Sequence, residues 1–183
     1  MPSFFSCSGD DGTTGLLGEG RVAKYDLVPE TLGTLDEANA AIGLGRVQCI
    51  NPESKQLLIT IQRHLYGIMS EVAATPENTS KFHVVGKLQV EWLESQIAKF
   101  EKAVDIPKDF ILPGDTQSGA ALDLARTIVR RAERRLAELV HRGDASNLEL
   151  LRYLNRLSSL LFVLELHENQ TAGNEKPTLA KEE

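Results

Sequence analysis

Five arginines lie close together in one helical stretch of a chain that is acidic overall. The chain carries a net charge of -6, and the five positions are Arg126, Arg130, Arg131, Arg134 and Arg135. At about 100° of rotation per residue, Arg126, Arg130 and Arg134 lie on one stripe of the helix. The other two, Arg131 and Arg135, lie on the next stripe. A charge run is commonly a solvated surface, but like charges at i,i+4 destabilise a helix by about a few tenths of a kcal/mol per pair. The pattern therefore favours a polyanionic ligand or an acidic partner.

A glycine-rich segment near the N-terminus has the donors that phosphate groups require. Residues 9–20 read GDDGTTGLLGEG and hold five of the 14 glycines. Free backbone amides, the hydroxyls of Ser8, Thr13 and Thr14, and the cations Arg21 and Lys24 can all donate to phosphate. No Walker A string is present, and composition alone leaves a mobile terminus as an equal alternative. Combined with the arginine helix, the segment indicates a site for a nucleoside triphosphate.

Apolar residues at helical spacing predict the elements that must position these groups. The predicted helices cover about 34–49, 52–75, 85–104, 116–142 and 147–167. Capping boxes Thr34-x-x-Glu37 and Ser146-x-x-Glu149 predict two of the starts, and Asn51 before Pro52 a third. Asp115 or Thr116 is expected to begin the fourth helix and Gly143 to end it.

No convincing strand and no internal repeat is found, so the fold class is all-α, a five-helix up-and-down bundle of ferritin-like type. The expected organisation is a nucleotide-binding loop over 1–33, a helical-bundle domain over 34–169, and a polar, disordered tail over 170–183. The regular seams also favour self-association.

Composition excludes several function classes. A chain of 183 residues with pI ≈ 5.3 fits one domain with no nucleic-acid or membrane partner. Without a long apolar run or a signal peptide, we expect a cytoplasmic protein. Cys7 and Cys49 are too few for a disulfide framework or a cysteine-based zinc site. The scattered histidines offer no metal site and no catalytic triad, so the substrate or a cofactor is expected to bring the reactive atom.

One polar pair interrupts the leucine seam of the fifth predicted helix. Asn155 and Arg156 stand where apolar residues are expected, between Leu154 and Leu157. A core asparagine often serves only to set helix register, so a structural role and a ligand-binding role stay equally open.

Several strings, in order and spacing, resemble the ATP:cob(I)alamin adenosyltransferases of the propanediol-utilisation (PduO) type. The resemblance covers the chain up to about Asn169. It is carried by SGDDGTT at 8–14, TLDEAN at 34–39, FILPG at 110–114, ARTIVRRAER at 125–134 and YLNRLS at 153–158. The arginine string and FILPG are its specific signals, whereas the glycine-rich loop alone is weak.

The resemblance implies a homotrimer of cobalamin adenosyltransferase-like bundles, with active sites between adjacent subunits and ATP bound with Mg²⁺. Cob(I)alamin would attack the 5′ carbon of ATP and expel triphosphate, and no metal would be resident on the protein. A reductase or a cobalamin-dependent acceptor enzyme is a further expected partner.

The same resemblance assigns roles to individual residues. Asp36 would pair with Arg126 across the subunit interface, and Phe110 would displace the lower axial ligand of cobalt. With Arg130, these three form the expected catalytic set. The nucleotide would be lined by one subunit's Ser6, Cys7, Ser8, Gly9, Thr14, Gly15 and Lys24 and by its neighbour's Arg130, Arg131, Glu133, Arg134 and Asn155.

Four positions depart from the family's pattern. Cys7 stands where Lys or Arg is usual, Asp115 replaces the second glycine after FILP, Asp123 replaces a histidine, and Ser159 replaces an aspartate. We expect a weaker phosphate contact and an added negative charge on the corrin side. These changes leave one alternative to the enzyme, a carrier or sensor that binds ATP or corrinoid with weak or no turnover. A second alternative rests on the arginine helix: a structural helical module whose arginines bind an acidic protein.

Overall fold

The computed structural model describes residues 7–174 and 176–181, and the predicted site residue Ser6 lies outside them. Within that part of the chain there are five α-helices: α1 Leu27–Gln48, α2 Pro52–Ala73, α3 Lys87–Glu101, α4 Gln117–Arg142 and α5 Leu148–Thr171. Helix α1 packs against α2 and α4, and α5 packs against α4 and α3. The predicted helical bundle is confirmed. None of the described helices has the length and apolar character needed to span a bilayer.

The predicted apolar seams form the core. Side chains with no exposed area come from every helix, and they include Leu35, Ile42, Leu58, Ile61, Leu65, Ile68, Leu93, Leu122, Val129, Leu136, Leu154, Leu157, Leu161 and Leu164. Because each set of apolar residues lies on one stripe of its helix, the helices bury these stripes against one another. Some apolar side chains stay outside the core, such as Leu88 of α3, which is 75% exposed.

Three predicted helix ends are confirmed by their hydrogen bonds. The Asn51 side chain accepts from the backbone N–H of Glu53 at 2.7 Å. The Thr116 hydroxyl accepts from the backbone N–H of Gly119 at 2.9 Å. Gly143 ends α4 with φ of 83°, in the left-handed region that glycine adopts without strain.

Both predicted capping boxes are wrong. Helix α1 begins at Leu27, seven residues before Thr34, since Leu27 and Val28 pack against the core and extend the helix backwards. The Thr34 hydroxyl is satisfied inside the helix, where it donates to the carbonyl oxygen of Glu30 at 2.8 Å. Helix α5 is capped by Asn147 rather than by Ser146, because the Asn147 side-chain oxygen accepts from the backbone N–H of Glu149 at 3.0 Å.

The predicted loop over 1–33 contains regular structure. Strands β1, Thr13–Gly15, and β2, Arg21–Ala23, form an antiparallel pair. The Leu17 backbone N–H donates to the Ala73 carbonyl at 2.8 Å and holds the hairpin against the end of α2. Sequence patterning missed these strands because three residues are too few to show alternation.

The tail also differs from its prediction in the part that the structure describes. Helix α5 continues to Thr171 because its last turns are buried. The Glu168 carboxylate accepts from the Ile50 backbone N–H at 2.6 Å, and the Asn169 side-chain oxygen accepts from the Thr116 hydroxyl at 2.6 Å. Residues 178–180 then return and pair with residues 110–112.

Candidate functional site

The sequence assigned one group of nucleotide-binding residues to the N-terminal segment. Those of them that the structure describes lie together in and beside the N-terminal hairpin. Lys24 fixes its geometry: its side-chain amine donates to the Gly9 carbonyl at 2.7 Å, and its backbone N–H donates to the Gly12 carbonyl at 2.9 Å. Thr14 and Gly15 lie on β1, opposite Val22 and Arg21. The exposed Lys24 ammonium has three N–H donors and uses one of them on Gly9, so the others can donate to phosphate oxygens.

A second network holds the turn from the other side. Arg21 donates to the Thr13 hydroxyl at 2.8 Å and also to the Ser8 carbonyl oxygen. The Asp11 carboxylate accepts from the Thr13 hydroxyl at 2.7 Å, and this hydrogen bond is the main cause that lowers the pKa of Asp11. Cys7, at the start of the turn, is exposed and has a left-handed φ of 56°. The turn is thus ordered by its own side chains, and the sequence did not identify Asp11 as part of it.

On the arginine helix, two of the five guanidinium groups pair with α1. Arg131 forms an ion pair with Glu37, and Arg135 lies 3.5 Å from the Glu30 carboxylate. Arg135 also lies 3.7 Å from Glu138 of its own helix. Carboxylates thus lie beside both Arg131 and Arg135. The repulsion between these two like charges, which the sequence indicated, is therefore relieved within one protomer.

Arg130 and Arg134 differ from these neighbours. Neither side chain has a hydrogen bond or ion pair to any residue that the structure describes, and both are exposed. They line an open groove of ≈ 290 Å³ together with Glu133, Ala137, Leu151 and Asn155. Two unpaired cations one helical turn apart, facing an open groove, are an arrangement of charge that suits a polyanion.

Asn155 belongs to this groove and not to the core. Its side-chain amide donates to the Glu133 carboxylate at 3.0 Å, and its oxygen accepts from Arg156 at 3.0 Å. Since Asn155 is exposed, the alternative that it sets helix register in the core is wrong.

A second cleft, of ≈ 360 Å³, joins Phe110 to Arg126. Its wall is formed by residues 107–111 with Pro113, Asp123, Arg126 and Phe162. The Phe110 side chain is 88% exposed and so presents an apolar ring to whatever enters. Arg126 donates to the Asp123 carboxylate at 2.7 Å, an ion pair that the sequence did not predict. Asp36, its expected partner across an interface, lies exposed on α1.

Near the Asp123–Arg126 ion pair of this cleft lies a buried carboxyl group, Glu165. It is 1% exposed, and neither of its oxygens has a hydrogen-bond partner among the described residues. Burial raises the pKa of Glu165 to about 8, and the charges of Asp123 and Asp115 add to this, whereas Arg126 opposes it. A carboxyl placed among Leu161, Leu164 and other seam positions was a signal that sequence analysis did not use.

Glu165→Gln is expected to remove a pH dependence of stability. Between the ordinary pKa of 4.5 and about 8, the folded protein keeps a proton that the unfolded chain has released. The free energy of unfolding of the wild type should therefore fall as pH rises through this window, by at most about 1.4 kcal/mol per pH unit. The glutamine variant keeps a neutral side chain and should gain on the order of 4 kcal/mol relative to wild type between pH 4.5 and 8.

Urea unfolding of both proteins from pH 5 to 9, at one protein concentration, measures this difference. Glu101→Gln, which changes an exposed glutamate of α3, is the control and should keep the wild-type slope. Parallel curves for wild type and Glu165→Gln would show that Glu165 is ionised in the folded state.

A family model for cobalamin adenosyltransferase matches residues 4–168. The chain belongs to the cobalamin adenosyltransferase family. The resemblance found in the sequence strings is thereby confirmed. "Corrinoid adenosyltransferase PduO" of Citrobacter freundii is 37% identical over 171 residues, which cover 93% of this chain and 51% of that protein. A corrinoid adenosyltransferase of Bacillus subtilis is 36% identical over 173 residues, covering 92% of this chain and 88% of that protein.

The chain therefore spans about half the length of the PduO relative. Among solved structures, a phenylalanine-to-histidine variant of the PduO-type ATP:corrinoid adenosyltransferase of Lactobacillus reuteri, complexed with cobalamin and ATP, superimposes with a TM-score of 0.87. It is 30% identical, and the match covers 98% of this chain and 97% of that one. An arginine-to-lysine variant from the same organism, complexed with ATP, also matches with a TM-score of 0.87 at 30% identity over 97% of this chain and 100% of that one. This adenosyltransferase-like bundle is the fold that the two clefts and the hairpin are built on.

Proposed function

We propose that the protein transfers the 5′-deoxyadenosyl group of ATP to cob(I)alamin, or to a related corrinoid, and releases triphosphate. The observation that carries the proposal is the groove with the unpaired Arg130 and Arg134, on a family member that also has an open cleft with the exposed ring of Phe110 in its wall. One surface suits a polyanion and the other a large, largely apolar ring system. The relatives named as corrinoid adenosyltransferases support the same reaction.

The reaction balances without a general base. The electron pair on cobalt of the reduced corrinoid forms a bond to the 5′ carbon of ATP, and the bond from this carbon to oxygen breaks. That electron pair leaves with triphosphate, so negative charge grows on the leaving oxygen. Arg130 and Arg134 would stabilise this charge, and Lys24 with the hairpin amides would hold the phosphates in line. No proton needs to move to or from a side chain.

The residues of the arginine groove suit a Mg²⁺ ion that is held mainly by the phosphates of ATP. Mg²⁺ usually binds through one or two carboxylates together with substrate phosphates. Glu133 supplies one carboxylate oxygen beyond the one that accepts from Asn155, and among the described residues no group of three or more acidic, histidine or cysteine side chains is placed to hold a metal ion. Bound there, Mg²⁺ would neutralise part of the triphosphate charge.

The complete site would need two subunits of a homotrimer. Asp36 shares an exposed stripe of α1 with Ala40, Leu44 and Val47, at spacings of four, four and three residues. Leu44 is 47% exposed and Val47 68% exposed, which is unusual for apolar residues on a soluble helix unless another surface covers them. A neighbour on this stripe would bring Asp36 to Arg126, in competition with Asp123. The hairpin of one subunit and the arginine groove of the next would then enclose ATP.

An anaerobic assay tests the proposal. Mixing the protein with chemically reduced cob(I)alamin, ATP and Mg²⁺ in dim light should give the absorption spectrum of adenosylcobalamin, with one triphosphate released per corrinoid consumed. Light scattering of the same sample should give three times the mass of the chain. No conversion above a protein-free control would refute the transferase.

A binding protein with weak or no turnover is the second candidate. It is favoured by the Asp123–Arg126 ion pair, because Asp123 partly neutralises the cation that the cleft presents to a corrinoid. Calorimetry that finds tight ATP or cobalamin binding, without conversion in the anaerobic assay, would select it. For the transferase, we also propose a cytoplasmic setting and a reductase that supplies the corrinoid as cob(I).

A further inference from the structure

The loop that carries Phe110 is fixed by the C-terminal segment of the chain. The Leu112 backbone N–H donates to the Thr178 carbonyl at 2.8 Å, and the Ala180 backbone N–H donates to the Phe110 carbonyl at 2.8 Å. Ile111 lies opposite Leu179 in an antiparallel bridge. The peptide groups on both sides of Ile111 are therefore tied to residues 178–180.

Asp115 anchors this segment with both carboxylate oxygens. One oxygen accepts from the Thr178 hydroxyl at 2.6 Å, and the other accepts from the Thr178 backbone N–H at 3.0 Å. The Asp115 carbonyl also accepts from the Asn174 side-chain amide at 3.1 Å. Hydrogen bonds to a charged group are among the stronger ones, so Thr178 is held from two directions.

The Phe110 side chain itself contributes little to holding the loop. At 88% exposed it has almost no packing against the protein, and the loop lies between α3 and α4 without helical hydrogen bonds. Gly114, just before Asp115, has a φ of 127°, which gives the backbone there a conformation open to glycine alone. The position of the Phe110 ring is thus set through the backbone, by the contacts with residues 178–180.

We propose that Asp115 and Thr178 are positioning residues for the corrinoid: by clamping the C-terminal segment onto the 110–112 loop, they hold Phe110 where the corrin ring must meet it. This role rests on the proposed function. It also gives a purpose to one departure from the family's pattern, since a glycine in place of Asp115 has no carboxylate to bind Thr178. The Asp115 carboxylate therefore binds a hydroxyl and an amide of Thr178, and its expected effect on the corrin side stays a prediction.

The first measurement follows the loop and does not depend on turnover. Thr178→Val removes the hydroxyl with little change in shape, and Thr178→Ser keeps the hydroxyl as a matched control. Amide hydrogen exchange of a peptide covering 108–114 should become roughly tenfold faster in Thr178→Val, and stay near the wild-type rate in Thr178→Ser. Asp115→Ala should resemble Thr178→Val. Unchanged exchange in both Thr178→Val and Asp115→Ala would overturn the clamp.

The second measurement separates positioning from general structure. Anaerobic titration with cob(II)alamin, in the presence of ATP and Mg²⁺, should give a corrinoid Kd about 5–20 times higher for Thr178→Val than for wild type. The Kd for ATP alone should change by less than about twofold, and Thr178→Ser should restore corrinoid binding. A loop that exchanges faster while corrinoid Kd stays at the wild-type value would overturn the positioning role.

The measurements distinguish a protein that is not a transferase from a transferase in which Asp115 and Thr178 do not position the loop. A wild-type protein that binds cob(II)alamin but forms no adenosylcobalamin refutes the transferase, while the exchange and Kd measurements still decide the role of Asp115 and Thr178. A wild-type protein that transfers adenosyl normally, with Kd unaltered in the variants, refutes the positioning role alone.

Discussion

Arg130→Ala is expected to lower kcat/KM for ATP by about 10²–10³, which corresponds to roughly 3–4 kcal/mol of lost transition-state stabilisation. Arg130 has no ion pair or hydrogen bond with any described residue, so its charge is available to triphosphate. Because negative charge on the leaving oxygen grows only as the carbon–oxygen bond breaks, most of the loss should appear in kcat. Steady-state anaerobic kinetics with varied ATP measures the split between kcat and KM.

The same change should not harm the fold. Arg130 is exposed and shares its stripe with Arg134 one turn away, so alanine removes a repulsion and adds a strong helix former. The melting temperature of Arg130→Ala should equal or slightly exceed that of wild type. Arg142→Ala is the matched control. Arg142 is also an exposed arginine of α4, but it lies at the C-terminal end of the helix and forms an ion pair with Glu138. Full activity in Arg130→Ala would remove Arg130 from the triphosphate site.

Phe110→Ala is expected to lower corrinoid-dependent turnover by about 10–100-fold and to leave ATP binding unchanged. Burying a phenylalanine ring against a ligand contributes roughly 1.5–3 kcal/mol, which sets this range. The ring is 88% exposed in the protein alone, so its removal costs the fold little. Anaerobic assays at saturating ATP, with calorimetric titration of ATP alone, separate the two sides of the site.

Leu88→Ala is the matched control for Phe110→Ala. Leu88 is another exposed apolar side chain, at 75%, but it lies on α3 and does not line the Phe110 cleft. Its removal should leave turnover and melting temperature near wild type. If Phe110→Ala turned over like Leu88→Ala, the cleft would have no part in the corrinoid step.

The sequence predicted the bundle because helices and their buried faces are encoded locally. The seam of α2, with Leu58, Ile61, Leu65 and Ile68 at spacings of three and four, requires only the period of the helix. The start at Asn51 and the end of α4 at Gly143 follow from residues within one turn of each boundary. The capping boxes failed where tertiary packing outweighed a local motif, as at the start of α1.

The sequence predicted which charged residues the candidate site contains, but it did not predict which of them form ion pairs. The arginine string showed that α4 is strongly cationic, yet its helical period could not show that Arg131 meets Glu37 or that Arg126 meets Asp123. Those pairings depend on how α1 packs against α4 and on which rotamers the packing allows. The same limit applies to Glu165, whose pKa is raised by burial that no linear pattern expresses.

The sequence by itself thus determined the helices, their apolar faces, the family and the types of residue available for phosphate and corrin. Only the tertiary structure decided which cations are left unpaired, that Glu165 lies buried near Asp123 and Arg126, and that Thr178 returns to bind Asp115 across 63 residues. The physical reason is one of range: helix propensity and periodicity act within a few residues, whereas desolvation, ion pairing and the return of the C-terminal segment depend on groups that are close only after the chain has folded.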